Sequence, residues 1–127
     1  MEVSVIICTY NRGASLRRAL LSLSSMDVPK DFLWEILVVD NNSNDDTKHI
    51  TTTFAQRADV HIEVRYVFEG RPGLNHARNA GVKAAQGDLL FYIDDDVVVT
   101  SNWLTEMKNA FDRFSVTGIG GKVLLKN

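Results

Sequence analysis

Residues 3–8 form a near-continuous apolar run, and comparable runs recur at 34–39, about 61–68 and 89–93. A strand apolar on both sides has to be covered on both faces, as in a parallel sheet flanked by helices. The intervening segments supply such helices. Leu16, Ala19, Leu20 and Leu23 recur at helical spacing, with Arg17 and Arg18 on the outer side. Ser43 is placed to cap a second helix, with Asp45 and Asp46 at its positive end. Residues 74–86 read as a third helix ended by Gly87, and a fourth starts near Ser101-Asn102-Trp103. Strands separated by helices of this length imply right-handed crossovers and a mostly parallel sheet, an α/β fold. Gly118-Ile119-Gly120-Gly121-Lys122-Val123 predicts one more strand, its glycines allowing a bend or close backbone approach.

The length of 127 residues fits one domain, with residues 1–127 read as a single unit, and the 45% hydrophobic content fits a globular core. A net charge of -2 provides no electrostatic footprint for nucleic acid or an anionic membrane surface. The single cysteine, Cys8, excludes an intrachain disulfide and suits a reducing compartment. No apolar stretch approaches the roughly 20 residues that span a bilayer. No basic region precedes a signal-like core. The expected location is cytoplasmic, with membrane association left to a longer form.

In parallel sheets ligands bind beyond the carboxyl ends of the strands. Here those ends carry Thr9-Tyr10-Asn11, Asp40-Asn41-Asn42 and Asp94-Asp95-Asp96. Clustered carboxylates at a sheet rim are hard oxygen donors, suited to a divalent cation that also holds phosphates. Asp94 and Asp96 would share a face if the strand persisted through them. A solvated acidic turn is the plain alternative, but crowded carboxylates repel unless counter-charged. Together the strand ends point to an anionic, metal-chelated ligand, most naturally a nucleotide.

Asp40 suits the N3–H of uracil or the N1–H of guanine, and otherwise serves as a cap or turn residue. Tyr10 is placed to pack against a base. Arg12, Arg71 and Arg78 are candidate phosphate partners. Arg71 lies in a Gly-Arg-Pro-Gly loop that permits close approach to a ligand, whereas Arg12 and Arg78 serve equally as structural ion-pair partners. His49, His61 and His76 lack metal-ligand spacing, and Cys8 reads as a buried strand-end residue. No Gly-x-Gly-x-x-Gly follows the first strand and no Walker A sequence is present. A phosphatase- or receiver-like use of the aspartates would need a strand-end lysine, and none occurs.

Four segments carry a family resemblance: residues 3–12; 38–47; Gly73-Leu74-Asn75-His76-Ala77-Arg78-Asn79-Ala80-Gly81; and 87–96, which includes the "DxD" strand. In order and content they resemble family 2 glycosyltransferases. The resemblance implies the Rossmann-like, nucleotide-binding half of a GT-A fold. It implies a nucleoside-diphosphate-sugar donor, usually UDP-linked, and Mn²⁺ or Mg²⁺. It also implies that Thr9, Tyr10 and Asp40 contact the base, with Asn42 in the same strand-end motif and Arg71 or Arg78 nearby. Asp94 or Asp95 would hold the ribose, Asp96 would ligate the metal, and Asp94 is the second candidate ligand. Transfer to an acceptor hydroxyl would invert the anomeric carbon, using a base from the family's second half. That half is not represented before Asn127, so the chain is expected to be the donor-binding half, cut short or naturally short. The competing expectation is a nucleotide-binding module without turnover, completed by a partner. The apolar stripe Trp103, Leu104, Met107 and Phe111 is expected to face either the sheet or a missing half, with self-association in the second case.

Overall fold

The computed structural model describes residues 1–57, 59–114 and 123–125. The apolar runs become strands β1 (Val3–Thr9), β2 (Trp34–Asp40), β3 (Glu63–Phe68) and β4 (Leu89–Asp94), joined by β5 (Val123–Leu125). The sheet order is β3-β2-β1-β4-β5, with β1, β2, β3 and β4 mutually parallel and β5 antiparallel to β4. The chain therefore builds β1, β2 and β3 in one direction and then crosses back to place β4 on the other side of β1. This reversal makes the carboxyl ends of β1 and β4 the topological switch point, where open α/β sheets bind ligands.

Alternation along each strand sorts the core into two layers. Val3, Val5 and Ile7 of β1, with Ile36 and Val38 of β2, pack against Leu16, Leu20 and Leu23 of α1 (Gly13–Ser24) and Phe54 of α2 (Thr47–Ala55). The intervening Ile6, Leu37 and Val39 pack with Leu90, Tyr92 and the alanines of α3 (Leu74–Ala84). Leu16, Leu20 and Leu23 are fully buried, each stabilising by about 2 kcal/mol through lost apolar exposure. The stripe of α4 (Trp103–Phe114) faces the sheet: Leu104 is fully buried, Trp103 meets Phe91 edge-on at 5.9 Å, and Met107 and Phe111 pack on the first layer. Of the two expected orientations, the stripe takes the one toward the sheet, with Leu104 buried and Trp103, Met107 and Phe111 partly buried.

Three local expectations are corrected. Ser43 does not cap the second helix; α2 starts at Thr47, and the Ser43 hydroxyl instead accepts the Asn11 N–H at 2.9 Å. Asp45 serves that helix start, accepting the Thr47 N–H at 3.1 Å. The third helix ends at Ala84 with Ala85 extended, so Gly87 does not terminate it. Glycine is required at 87 because a Cβ there would lie 2.5 Å from the Ser4 nitrogen. The third strand begins at Glu63, not His61. Gly118 to Lys122 lie outside the described residues, and the predicted last strand is represented by Val123–Leu125.

Small residues bring α3 close to the sheet. A Cβ on Gly81 would sit 2.8 Å from Ile6 Cγ2 and 3.4 Å from Val39 Cγ2. Alanine improves helix propensity by about 1 kcal/mol. Overpacking against a β-branched core residue costs about 1–3 kcal/mol. Gly81→Ala is therefore expected to lose about 1 kcal/mol net in chemical denaturation; a variant as stable as the wild type would show that Ile6 yields freely. Among the described residues, no helix is long and apolar enough to cross a membrane.

Candidate functional site

β1 and β4 run in register from Val3↔Leu89 to Cys8↔Asp94, which brings Thr9 and the aspartates to one edge. β4 ends at Asp94, and a turn closed by the Val97 N–H on the Asp94 carbonyl (3.2 Å) carries Asp95 and Asp96. The turn divides the triplet. Asp95 is buried and accepts the Thr9 hydroxyl at 2.9 Å, while Asp94 and Asp96 are exposed. The strand does not persist through Asp96 as the alternation argument required, yet both outer carboxylates still reach one cleft.

Arg12, at the entry to α1, lies 3.7 Å from Asp95 Oδ1 and 3.7 Å from Asp96 Oδ2. Its guanidinium is well exposed, so these pairs contribute little to stability; their importance is in balancing local charge. Burial pushes the Asp95 carboxyl above the ordinary aspartate value; Asp96 and Asp94 add to this, and the Thr9 hydroxyl and Arg12 oppose it.

The cleft has a volume of about 540 Å³, within the range of small-molecule sites. Thr9, Tyr10, Arg12, Asp94, Asp95 and Asp96 line it, as does the half-buried Cys8. Gly73, with Leu74 and Ala77 of α3, completes the lining together with Asn41. A smaller hollow of about 380 Å³ shares Tyr10, Asn41 and Gly73 with it and is also lined by Asn42.

Four other sequence candidates lie off the cleft lining. Asp40 is 3% exposed, its Oδ1 accepting the Ser43 N–H at 2.9 Å and its Oδ2 the Tyr66 hydroxyl at 2.6 Å. Burial, then the neighbouring Asp40 carboxylate, raises the Tyr66 phenol well above its usual range. Asn42 takes a left-handed backbone (φ 66) and borders only the smaller hollow. Arg71 is turned onto Glu69, with contacts of 2.9 and 3.2 Å from its guanidinium and 2.9 Å from its N–H. The Arg71 hydrogen bonds hold the Glu69 carboxyl at about 2. Arg78 sits a turn into α3, and its carbonyl accepts the Tyr92 hydroxyl at 2.9 Å. Burial pushes the Tyr92 phenol up to about 12.

Asn41 was not among the sequence candidates, yet it lines both hollows. Its only signal was its place directly after Asp40 at a strand end. Among the described residues, no group of three or more His, Cys, Asp or Glu side chains forms a cation cage. Asp94 and Asp96 are two hard-oxygen donors, which fits a cation that keeps waters and takes its other ligands from phosphates.

A family profile described as Glycosyl transferase family 2 matches residues 4–127. The glycosyltransferase AglE of Haloferax volcanii is 33% identical over 95% of this chain and 39% of its own length. A GalNAc(5)-diNAcBac-PP-undecaprenol beta-1,3-glucosyltransferase of Campylobacter jejuni is 34% identical over 84% of this chain and 33% of its own. S. aureus TarS in complex with UDP superposes with a TM-score of 0.77 and 26% identity, covering 96% of this chain and 37% of that one. The mannosyltransferase PcManGT from Pyrobaculum calidifontis, in complex with GDP-Man and Mn²⁺, gives 0.78 and 27%, covering 87% and 32%. The chain thus spans well under half the length of each of these relatives. The two solved structures are enzymes of the GT-A fold, and their parallel sheet with flanking helices is the one built here. By the profile that runs through nearly all its residues, the chain belongs to glycosyl transferase family 2.

Proposed function

We propose that residues 1–127 are a donor-binding unit that takes a nucleoside-diphosphate sugar, UDP-linked by first choice, for inverting transfer to an acceptor hydroxyl. The observation that carries this reading is the cleft at the β1/β4 switch point, where Thr9, Arg12 and the aspartate triplet meet. Tyr10, 55% exposed at the junction of the two hollows, offers a ring face to the base. Asp95, oriented by Thr9, accepts from a ribose hydroxyl, and Arg12 is within the cleft to meet a phosphate. Asp94 and Asp96 are the residues that would hold Mn²⁺ or Mg²⁺. When bound, that cation neutralises charge on the departing diphosphate. Arg71 joins the site only if it leaves Glu69, Arg78 lies off the cleft lining, and Asp40 acts from behind that lining. The preference for UDP draws on the TarS complex, and the preference for a cation on the Mn²⁺ complex of PcManGT.

One observation favours a second reading, a binding module without turnover of its own. Among the described residues, the carboxylates lining the cleft are the triplet alone. With those three assigned to ribose and cation, the described residues leave no separate general base beside an acceptor.

Titration calorimetry with UDP and GDP, with and without Mn²⁺, tests the reading on the wild type and Asp96→Ala. The wild type is expected to bind UDP about tenfold more tightly with Mn²⁺, and Asp96→Ala to lose that increment. A folded wild type that binds neither nucleotide under either condition would overturn it. Hydrolysis or transfer by the protein alone would exclude the module reading.

A further inference from the structure

We infer that Asn41 is a positioning residue that fixes the far wall of the cleft and spends its side chain on doing so; the inference deepens the donor-site reading and rests on it. Asn41 is the first residue beyond β2, and its N–H donates to the Thr9 carbonyl at 2.9 Å, extending the β1–β2 ladder past the strand end. From that fixed point the side chain crosses to the loop between β3 and α3. Nδ2 donates to the Glu69 carbonyl at 3.0 Å and the Arg71 carbonyl at 2.7 Å, and Oδ1 accepts the Gly73 N–H at 3.1 Å.

A carboxamide has two N–H donors, and both are used here. Asn41 therefore borders the cleft with no donor left for a phosphate or hydroxyl. Its chemistry is directed at the loop, and the loop needs it. Residues 70–73 are exposed and contribute no apolar side chain to either core layer. Glu69 is held through its N–H on the Asp40 carbonyl at 2.9 Å. Beyond it the remaining side-chain tie is the Glu69–Arg71 pair, which lies within the loop and cannot anchor it to the sheet.

What the loop delivers is the wall. Gly73 has φ 119, a conformation that L side chains rarely adopt, and it leads directly into α3. Gly73, Leu74 and Ala77 line the cleft together with Thr9 and the aspartates. Asn41 thus couples the end of β2 to the start of α3 and sets the distance across which a ligand must reach.

Asn41→Asp separates this role from simple packing, because it keeps size and the acceptor but turns an oxygen toward two carbonyl oxygens. Asn41→Ala removes all three side-chain bonds. Amide exchange, unfolding midpoint and UDP titration are measured on both variants. Exchange across 69–74 is expected to rise about tenfold while β1 and β2 keep their protection, and UDP affinity to fall about tenfold. Unchanged loop exchange would overturn the inference. So would a faster loop with wild-type UDP affinity, or protection lost throughout the sheet with a collapsed midpoint. A wild type that binds neither UDP nor GDP would remove the donor-site reading instead. The exchange contrast is read on the free protein and still decides whether Asn41 fixes the wall.

Discussion

Asp95→Ala is expected to weaken UDP binding by about a hundredfold while leaving the fold within about 1 kcal/mol of the wild type. The two halves of that expectation have different causes. Asp95 is the inward member of the triplet: its Oδ2 takes the Thr9 hydroxyl, and its Oδ1 faces Arg12. Removing it frees the Thr9 hydroxyl, leaves Arg12 with Asp96 alone and deletes an acceptor for a ribose hydroxyl, so several contacts change together. Hydrogen bonds to charged groups are each worth about 1.5–3 kcal/mol, and two of them give the expected hundredfold. Stability responds less, because this carboxylate is buried beside two like charges and its loss relieves repulsion. Asp95→Asn keeps an acceptor for Thr9 and surrenders only the charge, and should fall between the two. Calorimetry beside thermal unfolding checks the split. Binding within about threefold of the wild type, a difference of under 1 kcal/mol, would exclude Asp95 from the donor site.

The sequence was legible wherever both sides of an element are covered. β1 and β2 are buried nearly throughout, so a near-continuous apolar run, broken only by Ser4 and Glu35 before the strand-end Thr9 and Asp40, could mean little else. β3 is an edge strand of exposed and half-buried residues, and its start was misjudged because His61 and Ile62 continue the pattern without joining the ladder. Ser43 and Gly87 show why local rules fail at loops. The hydroxyl of Ser43 is claimed by Asn11, and the space at Gly87 is claimed by the backbone of Val3 and Ser4, both remote in sequence. Neither claim can be seen in a helix-capping pattern.

The site divides along the same line. Thr9, Tyr10, Arg12 and the triplet follow directly from strand ends at the switch point, so position alone placed them on the cleft. Side-chain direction decided the others. Asp40 is at a strand end too, but its carboxylate is turned inward to Tyr66 and Ser43. Arg71 is in the right loop and is held by Glu69, two residues before it. Asn41 was overlooked for the converse reason: its importance lies in three backbone groups about thirty residues away, which no spacing rule connects to it.

The second large effect concerns the opposite edge of the sheet. Glu35→Ala is expected to cost about 3 kcal/mol, lowering the unfolding midpoint by about 10 °C or more. Glu35 is fully buried, yet its carboxylate is completely engaged. Oε1 accepts from Arg65 at 2.8 and 3.0 Å, and Oε2 accepts from the Ser4 hydroxyl at 2.6 Å and the Gln86 N–H at 2.7 Å. Arg65 also donates to the Ala84 carbonyl at 2.6 Å, and Ser4 accepts the Gly87 N–H at 2.8 Å. One carboxylate thereby joins β1, β2 and β3 to the end of α3, the helix whose other end forms the cleft wall. Truncation leaves Arg65 with only the Ala84 carbonyl and the more distant Glu63 carboxylate at 3.7 Å, and leaves the Ser4 hydroxyl and the Gln86 N–H without their acceptor. Arg65 is partly exposed and recovers some hydration, which places the cost at the lower end of the range for breaking a buried pair. Burial pushes the Glu35 carboxyl up, but Ser4, the Gln86 N–H and Arg65 together outweigh it and hold it below the ordinary value of 4.5. A depressed carboxyl adds stability that is full above the unfolded-state value and is lost as pH falls through the folded one. The gap between wild type and Glu35→Ala should therefore be widest above about pH 5 and narrow as the solution is acidified below pH 4. A gap independent of pH would assign the loss to packing and not to the carboxylate. A gap under about 1 kcal/mol at neutral pH would mean that the network is not holding the carboxyl end of α3 in place.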